Sequence, residues 1–313
     1  MHSHLVGVLG KPGTFSHRAA QAMCVNPQAI KNSLSLYALI DELQGGHICA
    51  AIVPIENSTT GLIRPIVDGL LSSSFWIEAV FKQPIAHHLV KRRNRNLDRD
   101  RPCDGQSMLV SSQVQRKYQS LREYQSLREY QSQSEVMELL VQREAFDQCS
   151  KNLKRLNIKL CYTDSSTDAV EMLLSKHPDT AMAIIGDDLL LQYRAQLDVL
   201  ETNVEAYACN ETRFAKIVKK ENRVHPSDQS FKVWMFSIDL EHRVGSLSEL
   251  LVVLSRKNIN VLALHARPIP KYPGQYRFLL EVEGSAPISE SELQNMLEHI
   301  SCNEVNTMGA WTV

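Results

Sequence analysis

Residues 231–313 carry the most restrictive pattern in the chain. Apolar positions alternate over 231–240, which predicts a strand. Leu247, Leu250, Leu251 and Leu254 then fall at i, i+3, i+4 and i+7 behind a Ser246/Glu249 capping box, which predicts a helix. Strand signals follow at 259–266 and 276–282. Ser289 and Glu292 open a second helix that presents Leu293, Met296, Leu297 and Ile300, and residues 309–313 can close the sheet as a fourth strand. The order βαββαβ admits few packings, and the ferredoxin-like one is the expectation.

The preceding residues alternate differently. Strands are expected at 5–10, 48–55, 107–111, 158–163 and 181–186, with helices at 15–24, 61–71 and 167–175. Residues 77–90 read as extended chain leaving the first lobe, with Pro84 at a bend or edge. Strand and helix in turn imply parallel sheets with covering helices. The polar stretch 219–230, which contains Pro226, marks a linker. A chain of 313 residues is long enough for two domains or three lobes. The expected division is a two-lobed domain over 1–220, its second lobe at about 83–190, a linker at 221–230 and a smaller domain over 231–313.

Composition removes several classes of function. A net charge of -1 gives no overall attraction for nucleic acid or an anionic membrane. Six basic residues crowd 91–101, yet Asp98 and Asp100 interrupt them and no aromatic scaffold accompanies them, so a solvated loop is expected. Residues 1–5 have neither the basic nor the long apolar region of a secretory signal, and no apolar run is long enough to span a bilayer, so a cytoplasmic location is expected. The seven cysteines are odd in number, scattered and without a Cys-x-x-Cys pair, which indicates neither a disulfide framework nor zinc. Neighbouring His87 and His88 would face opposite ways on a strand and share no ion. The hexapeptide 118–123 repeats at 124–129. Six residues advance a helix by roughly 600°, so its leucines form no continuous stripe, and a surface-exposed duplication is the expectation.

Four short polar motifs interrupt otherwise apolar elements. They are Gly13-Thr14-Phe15-Ser16 after the first strand, Glu56-Asn57-Ser58 after another, Ser165-Ser166-Thr167 before a helix, and Asn210-Glu211-Thr212-Arg213-Phe214 opening a run that otherwise reads as a buried strand. Adjacent residues on a strand point to opposite faces, so Thr212 and Arg213 serve different surroundings. Each hydroxyl-rich triplet could by itself be a helix cap or turn. In this order, over nearly the whole chain, they resemble prephenate dehydratase. The C-terminal pattern resembles an ACT domain, the amino-acid-sensing module that follows many members of that family.

The resemblance implies an α/β fold: a two-lobed catalytic domain of the periplasmic-binding-protein type II kind, with the substrate between the lobes, and a ferredoxin-like ACT domain. It implies decarboxylating dehydration of prephenate to phenylpyruvate in L-phenylalanine biosynthesis, with no metal or organic cofactor. It points to Thr212 as the donor to the leaving hydroxyl, and to Thr14, Ser16, Asn57, Ser58, Ser166, Thr167, Asn210 and Arg213 as substrate-binding. Arg213 either grips a carboxylate or braces the cleft through a structural one, and alternation favours bracing if Thr212 faces the substrate. Phenylalanine is the implied effector, taken up near Gly245, Ser246, Leu247, His265, Ala266, Arg267 and Pro268, and a homodimer or homotetramer is implied. Arogenate dehydratase and a catalytically silent amino-acid-binding regulator are the alternatives. The chain departs from the family at Thr59-Thr60, where a glutamate is usual, at Gln142-Arg143-Glu144, which replaces a serine-histidine-proline-glutamine turn, and at His265, which stands where a glutamate is usual. The helix after that turn keeps the family pattern at Ala145, Gln148 and Cys149.

Overall fold

The computed structural model describes residues 4–23, 25–33, 35–72, 75–93, 136–175, 180–223, 229–269, 271–298, 300 and 302–312. The expected strand at 107–111, the hexapeptide duplication and most of the basic stretch lie outside these residues.

The chain begins as strand–helix alternation: β1 (Val6–Leu9), α1 (Phe15–Ala22), β2 (Ile30–Ser33), α2 (Leu36–Gln44), β3 (Ala50–Asn57), the two-residue β4 (Gly61–Leu62), α3 (Arg64–Ser72) and β5 (Phe75–Pro84). The pair β2 and α2 was not expected from the sequence. α2 follows ordinary rules nonetheless: Ser35 accepts a hydrogen bond from the Ala38 amide at 3.1 Å, and Leu39, Ile40 and Leu43 line one buried face.

The chain then enters a second sheet through β6 (His87–Arg92), β7 (Met137–Gln142), α4 (Arg143–Leu153), β8 (Ile158–Thr163), α5 (Ser166–Ser175), β9 (Ala181–Gly186), α6 (Asp187–Gln192) and β10 (Leu197–Thr202). Its strand order is β10-β6-β9-β7-β8. β10 carries this sheet past the boundary near 190 expected from the sequence. The chain returns as β11 (Glu211–Lys219), which inserts between β3 and β5.

The sheets are mixed rather than wholly parallel. β1 runs parallel to β2 and β3, and β7 runs parallel to β8 and β9. β11 is antiparallel to both of its neighbours, and β6 and β10 are antiparallel in the second sheet. The cause is the double crossing between lobes. A segment that goes out and comes back meets its neighbours head to tail, whereas a strand–helix–strand unit returns in the same direction.

The C-terminal module has β12 (Ser230–Leu240), α7 (Ser246–Arg256), β13 (Ile259–Pro268), β14 (Tyr276–Ser289), α8 (Glu290–Leu297) and β15 (Cys302–Trp311). Its strands lie in the order β13-β14-β12-β15, so the βαββαβ expectation holds. Leu250, Leu254, Leu293 and Leu297 pack the two helices against Trp234, Phe236, Leu280 and Val282 on one sheet face. The other face puts Val233, Met235, Leu279 and Met308 into a common core with Ile66, Leu70 and Ile77 of the first lobe. Trp76 and Trp234 meet edge to face at 6.3 Å across this junction.

β15 joins β5 in parallel at Gly309 and Ile77, making one continuous sheet of the first lobe and the C-terminal module. A Cβ at Gly309 would lie 2.5 Å from the Ile77 Cβ and 2.7 Å from its carbonyl oxygen, so the join requires glycine. The Ser289/Glu292 capping box forms as expected. The Ser246/Glu249 box does not. Gly245, at φ 93°, is the N-cap of α7, Ser246 Oγ donates to the Glu241 and Arg243 carbonyls, and Glu249 pairs with Arg243. No helix among the described residues is long and apolar enough to cross a membrane.

Candidate active site

Antiparallel pairing of β11 with β3 sets Thr212 opposite Asn57. Thr212 is 7% exposed and Asn57 2% exposed, so their polar atoms must find partners inside the protein. Asn57 Oδ1 accepts from the Thr59 and Thr60 amides at 2.9 and 3.1 Å, which fixes the flip of its side chain. Its Nδ2 therefore faces the start of β11 and donates to Thr212 Oγ1 at 2.9 Å and Asn210 Oδ1 at 2.8 Å.

The chain of amides continues into the second lobe. Asn210 Nδ2 donates to Gln148 Oε1 at 2.7 Å, and His87 Nε2 lies 3.1 Å from the same oxygen. Because that oxygen only accepts, His87 carries its proton on Nε2. His87 is 2% exposed, and burial pushes its pKa down to about 4, so it is neutral near pH 7. The Phe15 ring stands edge-on to His87 at 5.4 Å, which brings the entry of α1 against the same cluster.

The hydroxyl residues expected at this site divide by role. Ser165, not Ser166 or Thr167, caps α5: its Oγ accepts from the Asp168 amide at 3.1 Å and donates to the Asp168 carboxylate. Ser166 and Thr167 are buried in the first turn that follows, and Thr167 Oγ1 reaches the Pro12 carbonyl at 3.4 Å. Thr14 is the N-cap residue of α1 without a capping side-chain bond, and Ser16 is buried in its first turn. Ser58 Oγ is taken up by backbone, donating to the Cys209 carbonyl and accepting from the Glu211 amide, so it shapes the entry to β11. Lys11 bridges the lobes through Asp168 at 2.6 Å and Glu171 at 3.1 Å.

Arg213 lies on the opposite face from Thr212 and takes the bracing alternative rather than a place in the cleft. Its Nη1 donates to Glu56 at 2.9 Å, and its Nη2 donates to both oxygens of Glu281 on β14 at 2.8 Å. Phe214 packs in the core as expected. In the C-terminal module, His265 faces the first lobe beside Arg213 and Glu281, and burial lowers its pKa. Arg267 approaches Asp68 of α3 at 3.5 Å. Ser246 is buried, Leu247 packs against the helix-side core, and Ala266 and Pro268 are exposed. No cluster of three or more metal-binding side chains occurs among the described residues.

Sequence reasoning missed His87 and Glu281 as participants and knew Gln148 only as part of a family pattern. The signal for His87 was an imidazole in an apolar strand followed by a second histidine. His88 takes the other direction and hydrogen-bonds Asp187 at 2.8 Å, which helps hold that carboxylate below its usual range.

Two α/β lobes joined across a buried polar seam, with side-chain amides supplied from both sides, make a two-lobed α/β scaffold. The family model for prephenate dehydratase matches residues 6–103 and 106–222, and the chain belongs to that family. The bifunctional chorismate mutase/prephenate dehydratase of Enterobacter agglomerans is 24% identical over 306 residues, covering 96% of this chain and 67% of the relative. Among solved structures, prephenate dehydratase from Staphylococcus aureus subsp. aureus Mu50 superposes with a TM-score of 0.68 at 21% identity, over 98% of this chain and 99% of that one. The prephenate dehydratase of Arthrobacter aurescens in complex with L-Phe gives 0.71 at 19% identity, over 99% and 90%. These two share the fold.

Proposed function

We propose that the chain converts prephenate to phenylpyruvate, with Thr212 as the hydrogen-bond donor to the departing hydroxyl. The observation that carries this reading is the bond from Asn57 Nδ2 to Thr212 Oγ1. It occupies an acceptor site on the threonine oxygen and leaves the hydroxyl proton to be donated into the cleft.

The ring carboxylate leaves as carbon dioxide, and its bonding pair enters the ring. The ring becomes aromatic as the para C–O bond breaks, and the oxygen departs with that bond's electrons and is neutralised by a proton from solvent. Thr212 is far too weak an acid to ionise. Its hydrogen bond strengthens as negative charge grows on the leaving oxygen, and such a donor in a preorganised site contributes roughly 3 kcal/mol. The amides of the first turns of α1 and α5, around Thr14, Ser16, Ser166 and Thr167, suit the substrate carboxylates, because unpaired N–H groups and the helix dipole favour anions. Neutral His87 holds Gln148, which holds Asn210, and so the far side of the cleft is preset before substrate arrives.

The C-terminal module is an ACT domain in this reading, with phenylalanine as effector and a homodimer or homotetramer as the assembly. Its βαββαβ order supports the ACT reading and the L-Phe complex of the Arthrobacter aurescens relative supports the effector. Incubating purified protein with prephenate and, separately, arogenate while following the aromatic product tests the reading. Phenylpyruvate from prephenate is expected. Turnover of arogenate alone, or of neither, overturns it.

A further inference from the structure

Asn57 and Thr212 face the polar seam with the second lobe, while their chain neighbours Glu56 and Arg213 pair on the reverse side of the same two strands. The Asn57–Thr212 contact is thus backed by the Glu56–Arg213 ion pair one residue away on each strand. The third member of that ionic group, Glu281, comes from β14 of the C-terminal module and holds Arg213 with both carboxylate oxygens at 2.8 Å. Glu281 is 6% exposed, so its charge is shielded from solvent and its bonds to the guanidinium are strong and directional. The register of β11 on β3 shifts between Arg213 and Phe214. The strand end that carries Thr212 thus lies beyond a local irregularity in its pairing with β3, although its pairing with β5 runs through Thr212 and Gln83 unbroken, so side-chain contacts on the β3 side add to the backbone in setting its tilt.

We propose that Glu281 is a positioning residue for the dehydration: acting through Arg213, it fixes the end of β11 and with it the aim of the Thr212 hydroxyl and its bond from Asn57. The C-terminal module then acts directly on the catalytic donor, because a displacement of β14 relative to β11 changes the tilt of Thr212. The cavity beside Arg213, Glu281 and His265 has a volume of about 10 Å³. That is room for one water and not for an amino acid, so this contact works as a mechanical link and not as an effector pocket.

The proposal rests on the assignment of Thr212 above, and the test separates the two. In the full chain, Glu281→Gln is expected to lower kcat about tenfold with KM for prephenate within threefold, and Glu281→Asp to recover most of the loss. Arg213→Lys added to Glu281→Gln should cost less than the two separate losses summed, because both break the Arg213–Glu281 contact while only the lysine also loosens Glu56. Glu290→Gln is the control. It loosens another partly buried ion pair to the module, Arg223–Glu290 at 2.7 Å, that does not back Thr212, and kcat is expected within twofold of the parent. Equal losses in Glu281→Gln and Glu290→Gln, or a parental kcat in Glu281→Gln, overturn the proposal. The side-chain amide resonances of Asn57 read the same geometry without turnover. If Glu281→Gln leaves them unmoved the proposal fails, whether or not the parent protein accepts prephenate; if they move in a protein inactive on prephenate, the positioning role stands and the substrate assignment falls.

Discussion

At the scale of single residues, the seam between the lobes is held by donors that converge on Gln148 Oε1, through Asn57 and Asn210 from one side and His87 from the other. Asn57 is fixed by two backbone amides, Asn210 by Asn57, and Gln148 by Asn210 and His87. Thr212→Val keeps the shape and removes the hydroxyl, so kcat is expected to fall about 10²-fold or more with unchanged thermal stability, while Thr212→Ser should keep most activity. Steady-state kinetics on the two variants checks this, and a Val variant with parental kcat removes Thr212 from the mechanism. His87 gives a pH-dependent prediction. Its folded pKa of about 4 lies below the ordinary 6.5, so between these values the unfolded chain binds the proton and the folded one does not. Its contribution is therefore complete above pH 6.5 and is lost as pH falls toward 4, by about 3 kcal/mol over that window. Urea denaturation of the parent and of His87→Gln at pH 7, 5.5 and 4 should show the stability difference between them shrinking by that amount as pH falls.

At the scale of elements, periodicity and capping signals revealed those whose stability is local. The C-terminal strands and helices, and the capping box at Ser289, were legible because the strands are apolar runs between turn signals and each helix carries its own apolar stripe. The antiparallel insertion of β11 between β3 and β5 was not, because direction in a sheet is set by a connection that wanders through another lobe. Motif order singled out Asn57 and Thr212, which the strand pairing sets opposite each other. The long-range partners were not legible: Gln148 lies 62 residues from Asn210, and Glu281 lies 68 from Arg213, and no local pattern announces a contact at that range. Ser246 misled for a physical reason. A serine followed three residues later by glutamate signals a cap, but Gly245 in the left-handed region starts the helix one residue earlier and frees Ser246 to hold the preceding loop. Gly309 is the element-scale test. Replacement by valine puts a side chain where the Ile77 backbone lies, so β15 should separate from β5, with a loss of several kcal/mol from broken packing at Met308 and Trp76. Hydrogen exchange is expected to quicken in β5 and β15 and to stay slow in β7 and β9.

At the scale of the whole molecule, the C-terminal module and the first lobe share their core and do not hang as separate beads on a tether. Val233, Met235, Leu279 and Met308 belong to the same apolar cluster as Ile66, Leu70, Ile77 and Ile217. Trp76 is enclosed by Trp234 on one side and lies beneath the Arg223 guanidinium at 5.1 Å on the other. The second lobe has its own clusters, around Leu139 and Val141 and around Val90 and Ile185, and meets the rest through two crossing segments and the polar cleft. Division of stability should follow that division of apolar contact and not the order of the sequence. Ending the chain after residue 229 would expose the β5 edge that pairs with β15 and strip partners from Trp76 on one face and Ile77 on the other, each 2% exposed or less in the intact fold. At about 25 cal/mol per Å² of apolar surface, uncovering even a few such side chains removes several kcal/mol, comparable to the whole stability of a domain. The truncated protein is therefore expected to be insoluble or to bind a hydrophobic dye, although the family model's match ends at residue 222. Expression of residues 1–229, followed by calorimetry, decides the matter. A soluble fragment melting with the parental midpoint would mean that the shared core contributes little, and that the module is held to the lobe by its polar contacts alone.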